Sequence, residues 1–348
     1  MSGTVIRFPI RNSYALTRNG VSYRKGRHQM ALHITNADLK AFAEKRINLK
    51  IEEVSAGRDR VRFLRKRLED HIANNPGFSL VRMLHAGSVA KGTGLSGLND
   101  MDVAVYVEAD SFGDESLVLW MTDRLREVYG ATIANDAVQS GTYCPTITFA
   151  SGFNVDVVPV LDEGDADGKG YLVAKDTGER LLTSIPLHLE FIRARKSEHP
   201  GNLAQVIRYL KWWIRNQKRD DETFKFKSFM AELIVAHLSD SGVFFSDHID
   251  ALTAVFEYIV DSGLNDRIAF DDYYTASDLP AGSTAAIEIF DPVNPNNNVA
   301  VHYTNQDRQR IVARAETALD ALIEAGFATT KAQAIACWQI VLGTTFKG

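Results

Sequence analysis

Apolar residues recur at helical spacing over residues 51–74, where Val54, Val61, Leu64 and Leu68 form one stripe. A shorter helix is expected over 36–46, with Asn36 as its N-cap. The period then drops to two: "FSLVRMLHAGS" reads as a strand running into a turn, and "MDVAVYV" as a second strand. An amphipathic helix over 114–129 precedes two further strands, "YCPTITFA" at 143–150 and "NVDVVPV" at 154–160, joined at Ser151-Gly152. "DEGDADGKG" is a loop, and "GYLVAKDTGER" a surface hairpin. Beyond about residue 180 the pattern is helical, over 186–197, 201–218, 227–240, 246–262, 305–325 and 330–342. The expected fold class is α+β: a unit with a small mixed sheet over 31–180, packed against a helical domain over 181–348 with a cleft between them, and preceded by an extension over 1–30.

Composition narrows the function classes. The chain has 348 residues, 45% hydrophobic and 24% charged, which suits one large globular body or two fused ones. Its apolar runs fall short of the roughly 20 residues that span a bilayer, so no membrane association is expected and the location expected is cytoplasmic. Cys144 and Cys337 lack metal-ligand spacing and read as buried thiols. The net charge of −5 is uneven, because residues 1–30 carry Arg7, Arg11, Arg18, Arg24, Lys25 and Arg27 with no acid. That segment is either a poorly ordered basic tail or a non-specific contact for nucleic acid or triphosphate.

Within "GSVAKGTGLSGLNDMDVAVYV", Asp100 and Asp102 stand one residue apart at the mouth of an apolar strand. Alternation puts both carboxylates on one face and Met101 and Val103 on the other. Two anions side by side call for a cation, and a divalent metal is the ordinary solution. Asp156 is another lone acid among β-branched residues. If its strand lies beside that of Asp100 and Asp102, the three carboxylates suit two divalent cations, Mg²⁺ or Mn²⁺, of the kind that serve in-line phosphoryl displacement. Asp100 and Asp102 would bridge both ions, and Asp156 would hold one of them and take a proton from an attacking hydroxyl. Gly87 and Ser88 open a short helix whose free N–H groups suit phosphate oxygens, with Lys91 a turn further on.

In the helical half, Leu203, Ile207, Leu210 and Ile214 share a core-facing side of one helix, while Arg208, Lys211 and Arg215 share another. Arg215 is expected in solvent, and Lys211 is expected to reach a triphosphate across the cleft. Ser228 opens the next helix as a second anion contact, and Phe229 serves either as a stacking surface for a base or as core filling.

The order of Gly87-Ser88, Asp100/Asp102 and Asp156 resembles the polymerase-beta-like nucleotidyltransferase superfamily. With "RYLKWW", "FKSFMAEL" and "DPVNPNNNVA" it is similar to the branch of oligoadenylate synthases, cGAS and the bacterial cGAS/DncV-like nucleotidyltransferases of anti-phage signalling operons. "DVVPV" followed by "TSIPLHLEFIRARK" resembles the bacterial enzymes in particular. The resemblance runs from about residue 36 onward. It implies a template-independent nucleotidyltransferase that joins ATP and other NTPs into a cyclic di- or trinucleotide messenger containing adenine. It also implies phosphate contacts at Lys211 and Ser228, base stacking at Phe229, and a place for Asp291 and Asn298 near the nucleotide cleft or in a plain turn-rich loop. At the C-terminus, expected to be flexible, it implies a HORMA-type regulator or a ubiquitin-like conjugation system acting on Gly348. The alternatives are a linear oligonucleotide synthase, an enzyme nucleotidylating a small molecule or protein, and a catalytically silent nucleotide- or nucleic-acid-binding module.

Overall fold

The computed structural model describes residues 17–18, 21–22, 33–74, 79–97, 100–108, 116–134 and 137–348. Most of the basic N-terminal segment, and the expectations that fell on it, lie outside the described residues. A two-residue ribbon there pairs β1 (Thr17–Arg18) with β2 (Val21–Ser22).

The first half is built on one sheet. Its strands are β3 (Leu80–His85), β4 (Asp100–Val107), β5 (Val138–Ser140), β6 (Pro145–Thr148), β7 (Asn154–Asp162), β8 (Lys169–Val173) and β9 (Arg180–Ser184), in the order β3-β4-β7-β6-β5 with β8 and β9 continuing from the far end of β7. β4 and β7 are parallel and the other pairings antiparallel, so the sheet is mixed as expected. The strict alternation of β4 decides which face is which. Met101, Val103, Val105 and Val107 are buried against α2 (Ile51–Asn74) and α4 (Leu117–Tyr129), which contribute Val61, Leu64, Leu68, Leu117, Met121 and Leu125. On the opposite face Ala104, Tyr106 and Val160 form a small apolar cluster with Ala86. Asp100 and Asp102 continue that face toward the N-terminal end of β4.

The second half holds α5 (Ile185–Glu198), α6 (Asn202–Asp220), α7 (Ser228–Asp240), α8 (His248–Ser262), α9 (Asn305–Phe327) and α10 (Lys331–Leu342), with a short parallel ladder between β10 (Arg267–Ile268) and β11 (Glu288–Ile289). Their starts are set by local chemistry. Ser184 caps α5, Asp247 caps α8, and Thr304/Asp307 and Thr330/Gln333 form capping boxes at α9 and α10. The core centres on α6, whose Leu203, Ile207, Leu210, Trp213 and Ile214 are buried among residues of α7 to α10.

Three local expectations change. The N-cap of α1 (Asn36–Phe42, continued as a widened turn over Ala43–Ile47) is Thr35, in a capping box with Asp38. Asn36 instead accepts a hydrogen bond from the backbone N–H of His248 at 2.8 Å, which ties α1 to the start of α8. Accordingly Leu39, Phe42 and Ile47 are buried in the helical half although they precede the sheet in sequence. The C-terminus is also not a loose end. Phe346 is fully buried, with its ring 5.2 Å from that of Phe42, and its carbonyl accepts from Gln339 at 2.9 Å. Lys347 and Gly348 are exposed beyond it. Cys144 and Cys337 are half-buried free thiols rather than buried ones. Among the described residues no helix is long and apolar enough to cross a membrane.

Candidate active site

Register brings the carboxylates together. Along the parallel β4/β7 pair, Asp102 stands opposite Asp156 and Asp100 opposite Asn154, all on the face away from α2 and α4. Three acids from two distant segments therefore share one end of the sheet. The crowding shows in their protonation. Burial, then Asp156, then Asp100 push the Asp102 carboxyl up to about 6, against the opposing pull of Lys91 and Lys211. Lost hydration and the charge of Asp156 raise Asp100 as well. Asp156 is oriented by a residue that the sequence did not single out: Thr146, its partner across the β6/β7 pair, donates from Oγ1 to Oδ1 at 2.6 Å.

These residues fit a divalent cation by their donor chemistry. Carboxylate oxygens are hard ligands, and a cation between Asp102 and its neighbours would relieve the repulsion that raises its pKa. Among the described residues no three acidic, histidine or cysteine side chains are already gathered closely enough to hold one ion, so the carboxylates would turn toward it on binding.

Beside them, α3 (Gly87–Lys91) follows β3 directly. Ala86 N–H donates to the Asp102 carbonyl at 2.9 Å, which clamps the helix start onto β4. Gly87 has φ +64°, and a Cβ there would fall inside the Asp102 carboxylate, so both backbone conformation and space require glycine. The expected Gly87-Ser88 turn is thus packed on the expected metal-binding acid.

The basic face of α6 lies elsewhere than expected. Lys211 is 5% exposed, and its ammonium donates to Glu232 Oε1 at 2.5 Å, Thr93 Oγ1 at 3.1 Å and the Thr93 carbonyl at 3.3 Å. Its three donors are spent, and the expected reach across the cleft to a triphosphate is replaced by a buried pairing. Arg215 is not simply solvated, since it donates to the Ser96 carbonyl at 2.9 Å and lies over the Trp212 ring. Arg208 donates to Gly92 O at 2.7 Å and Lys196 of α5 to Lys91 O at 2.9 Å. Four cations of the helical half thus hold the carbonyls of Lys91, Gly92, Thr93 and Ser96, at the end of α3 and just after it.

Lys91 reaches Glu232 Oε2 at 2.9 Å, with its ammonium 4.3 Å from the centre of the Phe229 ring. Phe229 is half-buried, and its ring meets that of His188 edge to face at 5.7 Å. Ser228, the first residue of α7, is exposed. His188, unremarked in the sequence, shares a 2.7 Å contact with the buried carboxylate of Asp291. Burial acts to raise Asp291, yet His188 and further hydrogen bonds from Val293 N–H and Asn297 hold it below its ordinary value. Asn298 spends its side chain on the backbone of Ile287, Ile289 and Ala300, which is the plain-loop outcome. Glu232 was missed too, although a lone acid in the apolar stretch "FMAELIVA" is the same signal that marked Asp156.

The comparisons with known proteins concern the chain as a whole. No family model matches the chain. The cyclic AMP-AMP-AMP synthase of Escherichia coli strain MS 115-1 is 42% identical over 319 residues, covering 91% of this chain and 99% of the relative. The CBASS oligonucleotide cyclase CdnC of Escherichia coli strain KTE188 is 28% identical over 326 residues, 90% of this chain and 98% of the relative. The solved structure of E. coli MS115-1 CdnC in complex with a HORMA protein superimposes with a TM-score of 0.82 over 91% of this chain and 99% of that one, at 42% identity. The same enzyme solved with ATP gives the same score over 91% of this chain and 100% of that one. With a sheet, a glycine turn and three acids in one arrangement, and with a relative of this identity matched almost end to end, the chain belongs to the CBASS oligonucleotide cyclases, the nucleotidyltransferase family that includes the cyclic AMP-AMP-AMP synthase of E. coli.

Proposed function

We propose that this enzyme joins ATP into a cyclic adenine trinucleotide messenger by template-independent phosphoryl transfer at Asp100, Asp102 and Asp156. The observation that carries the site is the register pairing of Asp102 with Asp156 beside Gly87. The choice of product is supported by the relative at 42% identity, a cyclic AMP-AMP-AMP synthase.

Asp100 and Asp102 would hold two divalent cations, Mg²⁺ or Mn²⁺, and Asp156 one of them. Bound there, such ions lower the pKa of an attacking hydroxyl and offset charge on the attacking and leaving oxygens. The rest falls to the chain's own groups. Asp156, held by Thr146 at one oxygen, keeps the other to accept the proton of the attacking 3′-hydroxyl. Ser88 and the first N–H groups of α3 orient phosphate oxygens, and Lys91 supplies ammonium protons not taken by Glu232. Phe229 offers an aromatic surface beside Lys91 for a base, and exposed Ser228 a further hydroxyl contact. A HORMA-type regulator is the proposed partner, supported by the CdnC:HORMA complex of the relative.

The test is incubation with labelled ATP, GTP, CTP and UTP and Mg²⁺ or Mn²⁺, with the regulator added in one arm, followed by phosphatase treatment and mass determination. A phosphatase-resistant product with the mass of three cyclised adenylates is expected. A linear product, or a labelled protein or small molecule, would overturn cyclisation. Nucleotide binding without product in either arm would leave a silent binding module.

A further inference from the structure

Glu232 is 2% exposed on a helix whose other buried residues are apolar apart from Ser239 near its end. A carboxylate in that setting is tolerated only with full compensation. It receives Lys91 at 2.9 Å on Oε2, and on Oε1 Lys211 at 2.5 Å and the Thr93 hydroxyl at 2.6 Å. The partners come from different parts of the chain: Lys91 and Thr93 from the end of α3 and the segment after it, Lys211 from α6. Two ammoniums and one carboxylate leave a single positive charge on the cluster.

The two lysines are not equivalent. Lys211 has no donor left, whereas the Lys91 ammonium makes one hydrogen bond among the described residues, to Glu232. That ammonium also lies over the Phe229 ring, and its charge is felt at Asp102. An unheld lysine on a flexible four-carbon stem would sample many positions, and fixing it beforehand lowers the entropy lost on binding an anion. Glu232 is placed to do this, and Lys211 is placed to keep Glu232 ionised without competing for the ligand.

We propose that Glu232 is a positioning residue for nucleotide binding: it holds Lys91 against Phe229, with its remaining ammonium protons free for the phosphates of a nucleoside triphosphate. The inference rests on the reading of Lys91 as a phosphate contact. It gives the helical half a direct hold on the phosphate-binding turn, because the side chain that sets Lys91 belongs to α7.

The experiment is calorimetric titration of Mg²⁺·ATP into four proteins: wild type, Lys91→Met, the charge-balanced pair Lys211→Met/Glu232→Met, and the triple variant. The pair removes one charge of each sign and replaces both with unbranched apolar chains, so no lone buried ion remains. Kd is expected to rise about tenfold in Lys91→Met, the scale of one charge-assisted contact. It should rise by about as much in the pair, and the triple variant should stay within about twofold of Lys91→Met, because Glu232 acts through Lys91. A folded pair that binds as wild type would make Glu232 a strut between the halves and overturn the proposal, as would a triple variant whose loss is the product of the other two. Should the pair not fold, Glu232→Gln carries the same comparison. Wild-type affinity in Lys91→Met would remove the phosphate contact and the proposal with it. Asp156→Asn, assayed for turnover alongside, separates this from the chemistry: wild-type turnover there would overturn the transfer site while leaving the affinity comparison to stand.

Discussion

Gly87 presses against the carboxylate of Asp102, so that a single methyl group at residue 87 would occupy the space of an Asp102 oxygen. Two demands meet at this point, since the backbone there is also left-handed at φ +64°. Gly87→Ala is expected to abolish product formation, by about a hundredfold or more, while costing roughly 1–2 kcal/mol of stability from the left-handed strain. Product formation measured beside a thermal melt checks this. A variant that retains turnover would show that α3 can shift off β4 without harm.

The same carboxylate gives a pH dependence. In the metal-free enzyme the folded-state pKa of Asp102, about 6, lies above its ordinary 3.8. The folded state then binds this proton more tightly than the unfolded one. The resulting contribution to stability is full below about pH 4 and is lost as pH rises through about 6. Asp102→Asn, which removes the charge, should therefore be more stable than wild type near pH 8 in EDTA, by roughly 1–3 kcal/mol. The difference should vanish near pH 4. Mg²⁺ should reverse the order at high pH, because only the wild type gains a bound ion. Melts at the two pH values, with EDTA and with Mg²⁺, decide it.

Asp156 and Thr146 separate chemistry from binding. Asp156→Asn is expected to lower turnover by about a hundredfold or more while ATP affinity largely survives, as for loss of a general base. Thr146→Val removes the 2.6 Å hydrogen bond but keeps the shape, and should lower kcat by about tenfold with KM little changed. Thr146→Ser should restore most of it. If Thr146→Val moves KM instead, the hydroxyl serves the nucleotide and not the carboxylate.

At the other end of the molecule, Phe346 packs against Phe42 and Trp338 with no exposure. Phe346→Ala should cost about 3–5 kcal/mol. It should also open the C-terminus to carboxypeptidase, which in the wild type is expected to stop after removing the last two residues. Digestion followed by intact-mass measurement shows where trimming ends, and passage beyond Phe346 in the wild type would mean that the tail is not anchored in solution.

What local periodicity decides was legible beforehand. The six C-terminal helices fall within a few residues of their expected bounds, and the two-residue alternation around Asp100, Asp102 and Asp156 already placed their carboxylates on one side of each strand. Both follow from backbone geometry over a few residues, which sequence spacing records directly. Pairing was a different matter. Nothing along "RYLKWWIRNQ" says that Lys211 meets Glu232 or that Arg215 meets a carbonyl after α3, because those partners are chosen only when the two halves dock. The same holds for Thr146 beside Asp156, which depends on strand register, and for Asn36, whose cap-like chemistry went to α8 once α1 packed on the helical core. Phe346 makes the contrast plain: third from the C-terminus, it has the local features of a free end, and only the hydrophobic gap between α1 and α10 makes it core. Sequence determined which groups could do chemistry; the tertiary structure decided which of them are left free to do it, since a buried charge must first satisfy its own partners.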